Sequence, residues 1–185
     1  MTNTIRAPIV QGEIDNLKAG DTVYLTGTIL TGRDSAHKRL IEILDAGHEL
    51  PIDIKNQVIF YVGPTPTPPD RPIGSAGPTT SIRMDAYTPK LLELGLKGMI
   101  GKGERTKEVK DSIIENRAIY FAATGGAGAL ISKSIESSKV IAFDELGTEA
   151  IRILEVFKMP LIVAIDTKGN DLYEIGRSKY KKKIQ

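Results

Sequence analysis

Short apolar runs rich in β-branched residues alternate along this chain with segments of helical periodicity. In the first third, TVYLTGTIL (22–30) and QVIFYV (57–62) are typical of strands, and SAHKRLIEIL (35–44) between them is typical of an amphipathic helix. Strands that take turns with helices favour an α/β fold, and we expect a mixed sheet flanked by helices.

The same alternation continues through the second half of the chain. Further strands are predicted at 97–103, 118–124, 139–143 and 161–167. Helices are predicted to take turns with them at 88–95, 106–116, 127–137 and 146–157. Residues 168–170 have the composition of a turn before LYEIG (172–176), which we expect to form an edge hairpin.

Polar and conformationally special residues mark the ends of two predicted helices. Thr88 precedes Pro89 and is predicted to be an N-cap, because its hydroxyl can accept from a free amide while proline suits the first turn. Gly95 is predicted to end that helix in a left-handed conformation. Asp34 or Ser35 is predicted to cap the helix that begins near residue 35.

Composition narrows the possible function classes. The 185 residues are 41% hydrophobic and 26% charged, which suits one domain at 1–175 followed by a basic tail at 176–185, to which we assign no function. The net charge is only +2 and the basic residues are dispersed, so nucleic-acid binding has little support. No uncharged stretch is long enough to cross a bilayer, and we expect no membrane partner and a cytoplasmic protein.

Cysteine is absent, and histidine occurs only at His37 and His48. Thiol catalysis, disulfides and zinc sites built from clusters of cysteine and histidine are therefore excluded for this chain acting alone. Any chemistry that needs a metal cluster must come from another chain.

One long segment, 63–82 (GPTPTPPDRPIGSAGPTTSI), fits no helix or strand. Six of the ten prolines of the chain lie there, at 64, 66, 68, 69, 72 and 78. Few of its amides can join a sheet, so the segment must be a loop. A loop of this length inside a compact domain is usually functional or disordered, and the low charge of this one favours function.

The end of this loop offers groups that suit an anion. Gly74 and Gly77 are expected to let the backbone pass close to a ligand. Thr79 and Thr80 supply hydroxyls and amides. Arg83 adds a planar fork of donors that matches a carboxylate or a phosphate.

A structural alternative is open at this point: the threonines cap the following helix, and Arg83 pairs with a surface acid such as Asp85 or Glu93. Two other segments favour the anion site. TGRDSAHKRL (31–40) presents Arg33 near a helix N-terminus, and IGKGER (100–105) places Lys102 between two glycines at a strand end. Ligands of α/β sheets collect outside the carboxyl ends of strands, so three cations on three such loops predict a substrate with more than one carboxylate.

The glycine-rich segment TGGAGAL (124–130) follows a predicted strand and opens a predicted helix, so its amides could cradle a phosphate. However, Ile131 stands where a dinucleotide fingerprint needs its third glycine, and no Gly-Lys-Ser/Thr of a P-loop follows. Close packing of the helix on the sheet is the simpler explanation, and a nucleotide site is not expected.

Five segments together resemble one enzyme family. They are GSAGPTTSIRMD, LTGRDSAHKRLIE, MIGKGER, LGTEAI and DTKGNDLY, and the similarity runs from about residue 4 to about residue 174. The chain resembles the C-terminal half of the iron-sulfur class I fumarases and the separate β subunits of two-subunit fumarases and L-tartrate dehydratases. The resemblance implies a swivelling β/β/α domain and a partner α subunit that holds a [4Fe-4S] cluster on its own cysteines.

The resemblance also implies a role for each candidate residue. Arg33, Arg83 and Lys102 match the positions that clamp the substrate carboxylates, and the iron of the partner acts as Lewis acid on the hydroxyl group. Thr79 matches the residue proposed as the base, so that Thr79 and Lys102 form the catalytic set and Thr80 contacts substrate. This chain is expected to hold no metal itself and to work in a hetero-oligomer such as α2β2.

Three functions stay open on the sequence alone. The first is the substrate-clamping β subunit of a hydro-lyase, with fumarate or L-tartrate as the dicarboxylate. The second is a phosphate- or nucleotide-binding enzyme that uses TGGAGAL, and the third is a noncatalytic scaffold that has kept the fold. His37 matches the family motif as well, but a histidine in the first turn of a helix beside Asp34 is more simply structural.

Overall fold

A computed structural model describes residues 3–10, 12–124 and 126–181. Within them the strands are β1 (Asn3–Ala7), β2 (Thr22–Thr31), β3 (Val58–Phe60), β4 (Gly98–Gly101), β5 (Ile119–Ala122), β6 (Ile135–Ala142) and β7 (Ile151–Ile165). The α-helices are α1 (Asp34–Asp45), α2 (Thr88–Glu93), α3 (Lys107–Glu115), α4 (Gly128–Ile131) and α5 (Leu172–Tyr180). Short 3-10 helices span Ser81–Met84, Ser132–Ser134 and Asp144–Glu149.

The strands form one mixed sheet in the order β1-β2-β3-β4-β5-β7-β6. Neighbours from β1 to β5 run parallel, whereas β7 runs antiparallel to both β5 and β6. Strand β7 also pairs antiparallel with β2, which closes β2, β3, β4, β5 and β7 into a ring of hydrogen-bonded strands. The predicted mixed sheet with flanking helices is therefore confirmed.

Strand β3 and the residues after it show how the sheet is buried on both faces. Val58 and Phe60 belong to one apolar core, and Ile59 and Tyr61 belong to a second one. The second core also contains helical residues, namely Leu40, Leu91 and Ile113. Because consecutive side chains of a strand point to opposite faces, a strand buried on both faces must be apolar at every position.

The last third of the chain departs from the predicted alternation. The predicted helix at 146–157 is wrong, because residues from Ile151 onward form β7, which continues without a break to Ile165. The predicted helix at 127–137 ends after one turn, at Ile131, and β6 begins at Ile135. Partners on both sides satisfy the backbone of β7, so tertiary pairing overrides a local pattern that fits either element.

The segment after the turn at 168–170 is a helix, and the predicted edge hairpin is wrong. The turn itself is present: the Asp166 carboxylate accepts from the backbone amides of Lys168 and Asn170, both at 3.0 Å. Asp171 then caps α5, because its side chain accepts from the Tyr173 amide at 2.8 Å. Helix α5 runs through the predicted tail boundary at 176, and residues 182–185 of that tail lie outside the described residues.

Of the three predicted helix caps, one is confirmed and two are wrong. Gly95 has a φ of +99° and ends α2, as expected. Thr88 is not an N-cap: its hydroxyl donates to the carbonyl of Met84 at 2.9 Å. Neither Asp34 nor Ser35 caps α1, since the residue at the cap position is Arg33.

Among the described residues, no helix combines the length and the apolar composition needed to cross a membrane.

Candidate dicarboxylate site

Thr79 and Thr80 lie beside Lys102, beyond the ends of β3 and β4. The Thr79 amide donates to the carbonyl of Tyr61 at 2.7 Å, and the Lys102 amide donates to the Thr79 carbonyl at 3.2 Å. The Ser81 amide returns a hydrogen bond to the Lys102 carbonyl at 2.9 Å, so Thr80 and Lys102 form a parallel bridge. The long loop is thus irregular, as predicted, but its last residues are held by the sheet.

Gly101 lets the 3-10 helix Ser81–Met84 lie close to β4. A Cβ atom at Gly101 would lie 2.0 Å from the Ser81 Oγ and 2.9 Å from the Tyr61 ring. Such contacts are far below van der Waals distance, so only glycine lets the 3-10 helix Ser81–Met84 pack on β4. Gly101, directly before Lys102, therefore determines how closely the 3-10 helix Ser81–Met84 packs on β4.

Arg33 and Arg83 approach one pair of carboxylates. The Arg33 Nη2 lies 3.3 Å from Glu149 Oε1, and the Arg83 Nη1 lies 3.2 Å from Asp34 Oδ2. The Arg33 guanidinium also lies over Gly63, where a Cβ would come within 2.5 Å of Nη1. The structural alternative for Arg83, an ion pair with a surface acid, is confirmed in kind, but the partner is Asp34 rather than Asp85 or Glu93.

Glu149 is close enough to both arginines for its titration to respond to them. Burial by itself would raise the pKa of the Glu149 carboxyl. Hydrogen bonds from Ser35 and the positive charges of Arg33 and Arg83 outweigh that effect and hold the pKa below its usual value. The two arginines therefore share one electrostatic environment.

A buried ion pair that was not predicted from the sequence lies directly after the 3-10 helix Ser81–Met84. The Arg105 Nε donates to Asp85 Oδ1 at 2.7 Å, and the Thr106 amide donates to Asp85 Oδ2 at 2.6 Å. The Arg105 Nη2 also donates to the Thr88 hydroxyl at 2.9 Å. The pair joins the loop after β4 to the segment after Arg83 and so ties the segments that carry Lys102 and Arg83 to each other. No sequence signal distinguishes these charges from surface ones.

Two tyrosines fix the backbone next to Lys102. The Tyr120 hydroxyl donates to the Gly103 carbonyl and accepts from the Ser81 hydroxyl, both at 2.9 Å. Burial raises the pKa of Tyr120 well above its usual value, so this phenol stays a donor. The Tyr173 hydroxyl accepts from the Gly103 amide at 3.0 Å. Lys102 is thus exposed on a backbone that is held from both sides.

The loop glycines approach their own chain. A Cβ at Gly74 would meet the Thr65 carbonyl oxygen at 2.2 Å, so Gly74 serves packing within the loop. That Gly74 and Gly77 let the backbone pass close to a ligand stays a prediction. Gly128 lies against the loop as well, because its carbonyl accepts from the Ala76 amide at 3.1 Å. The close packing expected of TGGAGAL is present, but against this loop; Gly125 lies outside the described residues.

His37 is completely buried. Its Nδ1 lies 2.8 Å from the Arg33 carbonyl, to which we assign it as donor, and its ring packs edge-on against Tyr61 at a centroid distance of 5.3 Å. Loss of solvation lowers the pKa of His37 to about 4. The imidazole is therefore neutral in the folded protein, in agreement with a structural role.

Stability should consequently fall with acidification between pH 6.5 and 4. An unfolded chain takes up the His37 proton below its ordinary pKa of about 6.5, while the folded chain does so only near 4. The contribution of His37 to stability is full above pH 6.5 and is lost as pH falls, by up to about 3 kcal/mol.

Urea denaturation of His37→Gln should show a flatter dependence of stability on pH than wild type. The matched control His48→Gln, at an exposed position, should retain the wild-type profile; equal profiles for wild type and His37→Gln would contradict the prediction.

Among the described residues, no group of three or more His, Cys, Asp or Glu side chains could hold a metal ion. The full sequence also contains no cysteine, so this chain offers no thiolate to an iron-sulfur cluster.

Comparison with known proteins identifies the family. The sequence model described as Fumarase C-terminus matches residues 2–176, and the chain belongs to that family. It is 43% identical over 167 residues to the anaerobic class I fumarate hydratase of Escherichia coli K12, covering 89% of this chain but 30% of that protein. Fumarate hydratase 2 of Leishmania major is 37% identical, again over 30% of its length.

A relative of different size comes from Methanocaldococcus jannaschii. It is described as "Putative L(+)-tartrate dehydratase subunit beta" and is 37% identical over 181 residues, which cover 94% of this chain and 93% of that protein. The chain thus spans 30% of the length of each of these two fumarate hydratases and nearly all of this subunit.

Proposed function

We propose that this chain is the β subunit of a two-subunit [4Fe-4S] hydro-lyase that interconverts fumarate and malate. The observation that carries the proposal is the pairing of Arg33 with Glu149 and of Arg83 with Asp34, together with the bridge between Thr80 and Lys102. Membership of the Fumarase C-terminus family supports a hydro-lyase as the enzyme class. In the same proposal the fold is the swivelling β/β/α type and the protein is cytoplasmic.

The three cations bind and orient the substrate. Arg33 and Arg83 supply planar donor forks to one or both carboxylates, and Lys102 supplies a point charge. Removing a proton from the carbon beside a carboxylate spreads negative charge onto that carboxylate. Fixed cations facing it stabilise the transition state more than the ground state, so the same groups that bind substrate also accelerate the proton transfer.

Thr79 moves the carbon-bound proton, and Thr80 contacts the substrate. A threonine hydroxyl is a weak base near neutral pH, so it needs a cation that stabilises its deprotonated form. Lys102 is the proposed source of that charge, because the Thr79 carbonyl accepts from the Lys102 amide and the two residues are neighbours. The hydrogen bonds to Tyr61 and Lys102 hold the backbone of Thr79 in place.

The iron-sulfur cluster belongs to a partner α subunit in this proposal, because the present chain contains no cysteine. When bound there, the cluster supplies a Lewis acid for the hydroxyl group that is added or removed. This chain holds the carboxylates and moves the carbon-bound proton. An α2β2 complex is the proposed assembly.

Dehydration of L-tartrate is the second candidate function. It is favoured by the relative described as a tartrate dehydratase subunit beta, which aligns with this chain along 93% of its own length. Tartrate differs from malate by one hydroxyl group, and the carboxylate clamp described above serves both.

Anaerobic co-purification with a cluster-bearing α subunit tests the proposal. We expect the isolated chain to be colourless and inactive and the complex to turn over at least one substrate among malate, fumarate and L-tartrate. Thr79→Ala in the complex should abolish most turnover without dissociating the subunits. A complex that assembles with its cluster but turns over none of the three substrates would refute the function, and undiminished activity in Thr79→Ala would favour the scaffold alternative.

A further inference from the structure

Glu149 lies in the candidate site although a carboxylate repels a dicarboxylate substrate. Its Oε2 accepts from the Ser35 amide at 2.9 Å, and its Oε1 faces the Arg33 guanidinium at 3.3 Å. Both oxygens are therefore engaged within the protein. Charge repulsion disfavours contact between Glu149 and the substrate carboxylates, and both of its oxygens already have partners, so its role passes through the groups it touches.

The backbones that carry Glu149 and Arg33 are fixed relative to each other. The Thr31 hydroxyl, two residues before Arg33, donates to the carbonyl of Ala150 at 3.3 Å, directly after Glu149. The same hydroxyl accepts from the Arg152 amide at 2.9 Å. The two hydrogen bonds of the Thr31 hydroxyl lie within three residues of Arg33 and of Glu149. They limit the relative movement of the two backbones, so the Glu149 carboxylate can hold the Arg33 guanidinium in one orientation.

The Arg33 guanidinium is confined but keeps its donors. Gly63 closes one side, since a Cβ there would lie 2.5 Å from Nη1, and Glu149 closes another. Only 23% of the Arg33 side chain and 20% of the Glu149 side chain are exposed. Among the described residues, the Arg33 Nε is buried without a hydrogen-bond partner, which is costly unless a ligand supplies an acceptor.

We propose that Glu149 is a positioning residue that holds the Arg33 guanidinium against Gly63, in the orientation that binds a substrate carboxylate. The catalytic part of this inference rests on the proposed function, whereas the orientation of Arg33 is a property of the chain itself. Two measurements therefore separate the two claims.

The first measurement is hydrogen exchange of the Arg33 Nε–H in the isolated full chain, followed by NMR and assigned with Arg33→Lys. Glu149→Gln removes the charge but keeps an oxygen that can accept from the Ser35 amide. We expect exchange of the Arg33 proton to accelerate on the order of tenfold, because the guanidinium is no longer held. Glu145→Gln is the matched control on the same 3-10 helix, where the carboxylate pairs with exposed Arg39, and it should leave Arg33 unchanged.

The second measurement is turnover in the assembled complex. Glu149→Gln should lower kcat/KM on the order of tenfold to a hundredfold, because a displaced guanidinium meets the carboxylate in the wrong geometry. In an Arg33→Ala background the same change should cost nothing further, since Glu149 acts through Arg33. Additive losses, or unchanged exchange of the Arg33 proton, would overturn the positioning role. An inactive wild-type complex would refute the proposed function, while the exchange result would still decide the role of Glu149.

Discussion

Replacing Arg105 by methionine is expected to lower the free energy of unfolding by about 3–5 kcal/mol. The Arg105 side chain is fully buried, and Asp85, its partner at 2.7 Å, is only 5% exposed. Without the guanidinium the Asp85 carboxylate keeps its hydrogen bond from the Thr106 amide but loses its compensating charge. Urea denaturation followed by circular dichroism measures the loss.

Two further variants test this reason. Asp85→Asn combined with Arg105→Met should recover part of the stability, because the buried negative charge has gone with the positive one. Arg177→Met is the matched control: Arg177 pairs with Glu104 at the surface, and the change should stay within about 0.5 kcal/mol. A loss below about 1 kcal/mol in Arg105→Met would show that the pair does not hold this region together.

Arg83→Ala should reduce turnover of the assembled complex by about 10²- to 10³-fold while barely changing stability. The expected catalytic loss follows from the proposed role of Arg83 as a donor to a substrate carboxylate that gains charge in the transition state. The stability change should be small because the Arg83 and Asp34 side chains are 44% and 36% exposed, and ion pairs of that kind contribute about 0–1 kcal/mol. Steady-state kinetics and urea denaturation of the same variant separate the two effects.

The planar fork and the charge of Arg83 can be tested separately. Arg83→Lys keeps the charge but loses the paired donors, so it should recover only a small part of the activity. Arg39→Ala is the control: Arg39 also lies in a surface ion pair, 3.4 Å from Glu145, and its loss should leave turnover unchanged. Full activity in Arg83→Ala would contradict the carboxylate clamp, whatever the family relationship.

Strand β1 was missed, but most elements between residues 22 and 122 could be predicted from local patterns. Apolar runs gave β2 to β5, and amphipathic periodicity gave α1 and α3 close to their observed ends. The last third could not, because β7 owes its length to pairing with β2 and β6 rather than to its own composition. Such pairing is a contact between distant segments and leaves no local periodicity.

The candidate site, like the fold, was predictable only in part. Residue chemistry nominated Arg33, Arg83 and Lys102 as candidates, because they are three cations on loops that follow strands. The partners of these cations were not predictable, since the hydrogen bond that anchors Glu149 joins residues 114 positions apart. Burial of Arg105 was equally hidden, because a charged residue next to a glycine-rich turn is usually at the surface.

Closure of the ring by β2 and β7 also bears on the synthesis of this chain. The Thr28 hydroxyl bonds to the Glu155 carboxylate across 127 positions, and the strands that carry them cannot meet until the later one has left the ribosome. Until then β2 has an open edge that another nascent chain can join. A topology of this kind folds slowly and late, so the emerging polypeptide should depend on chaperones more than a helical bundle of equal length.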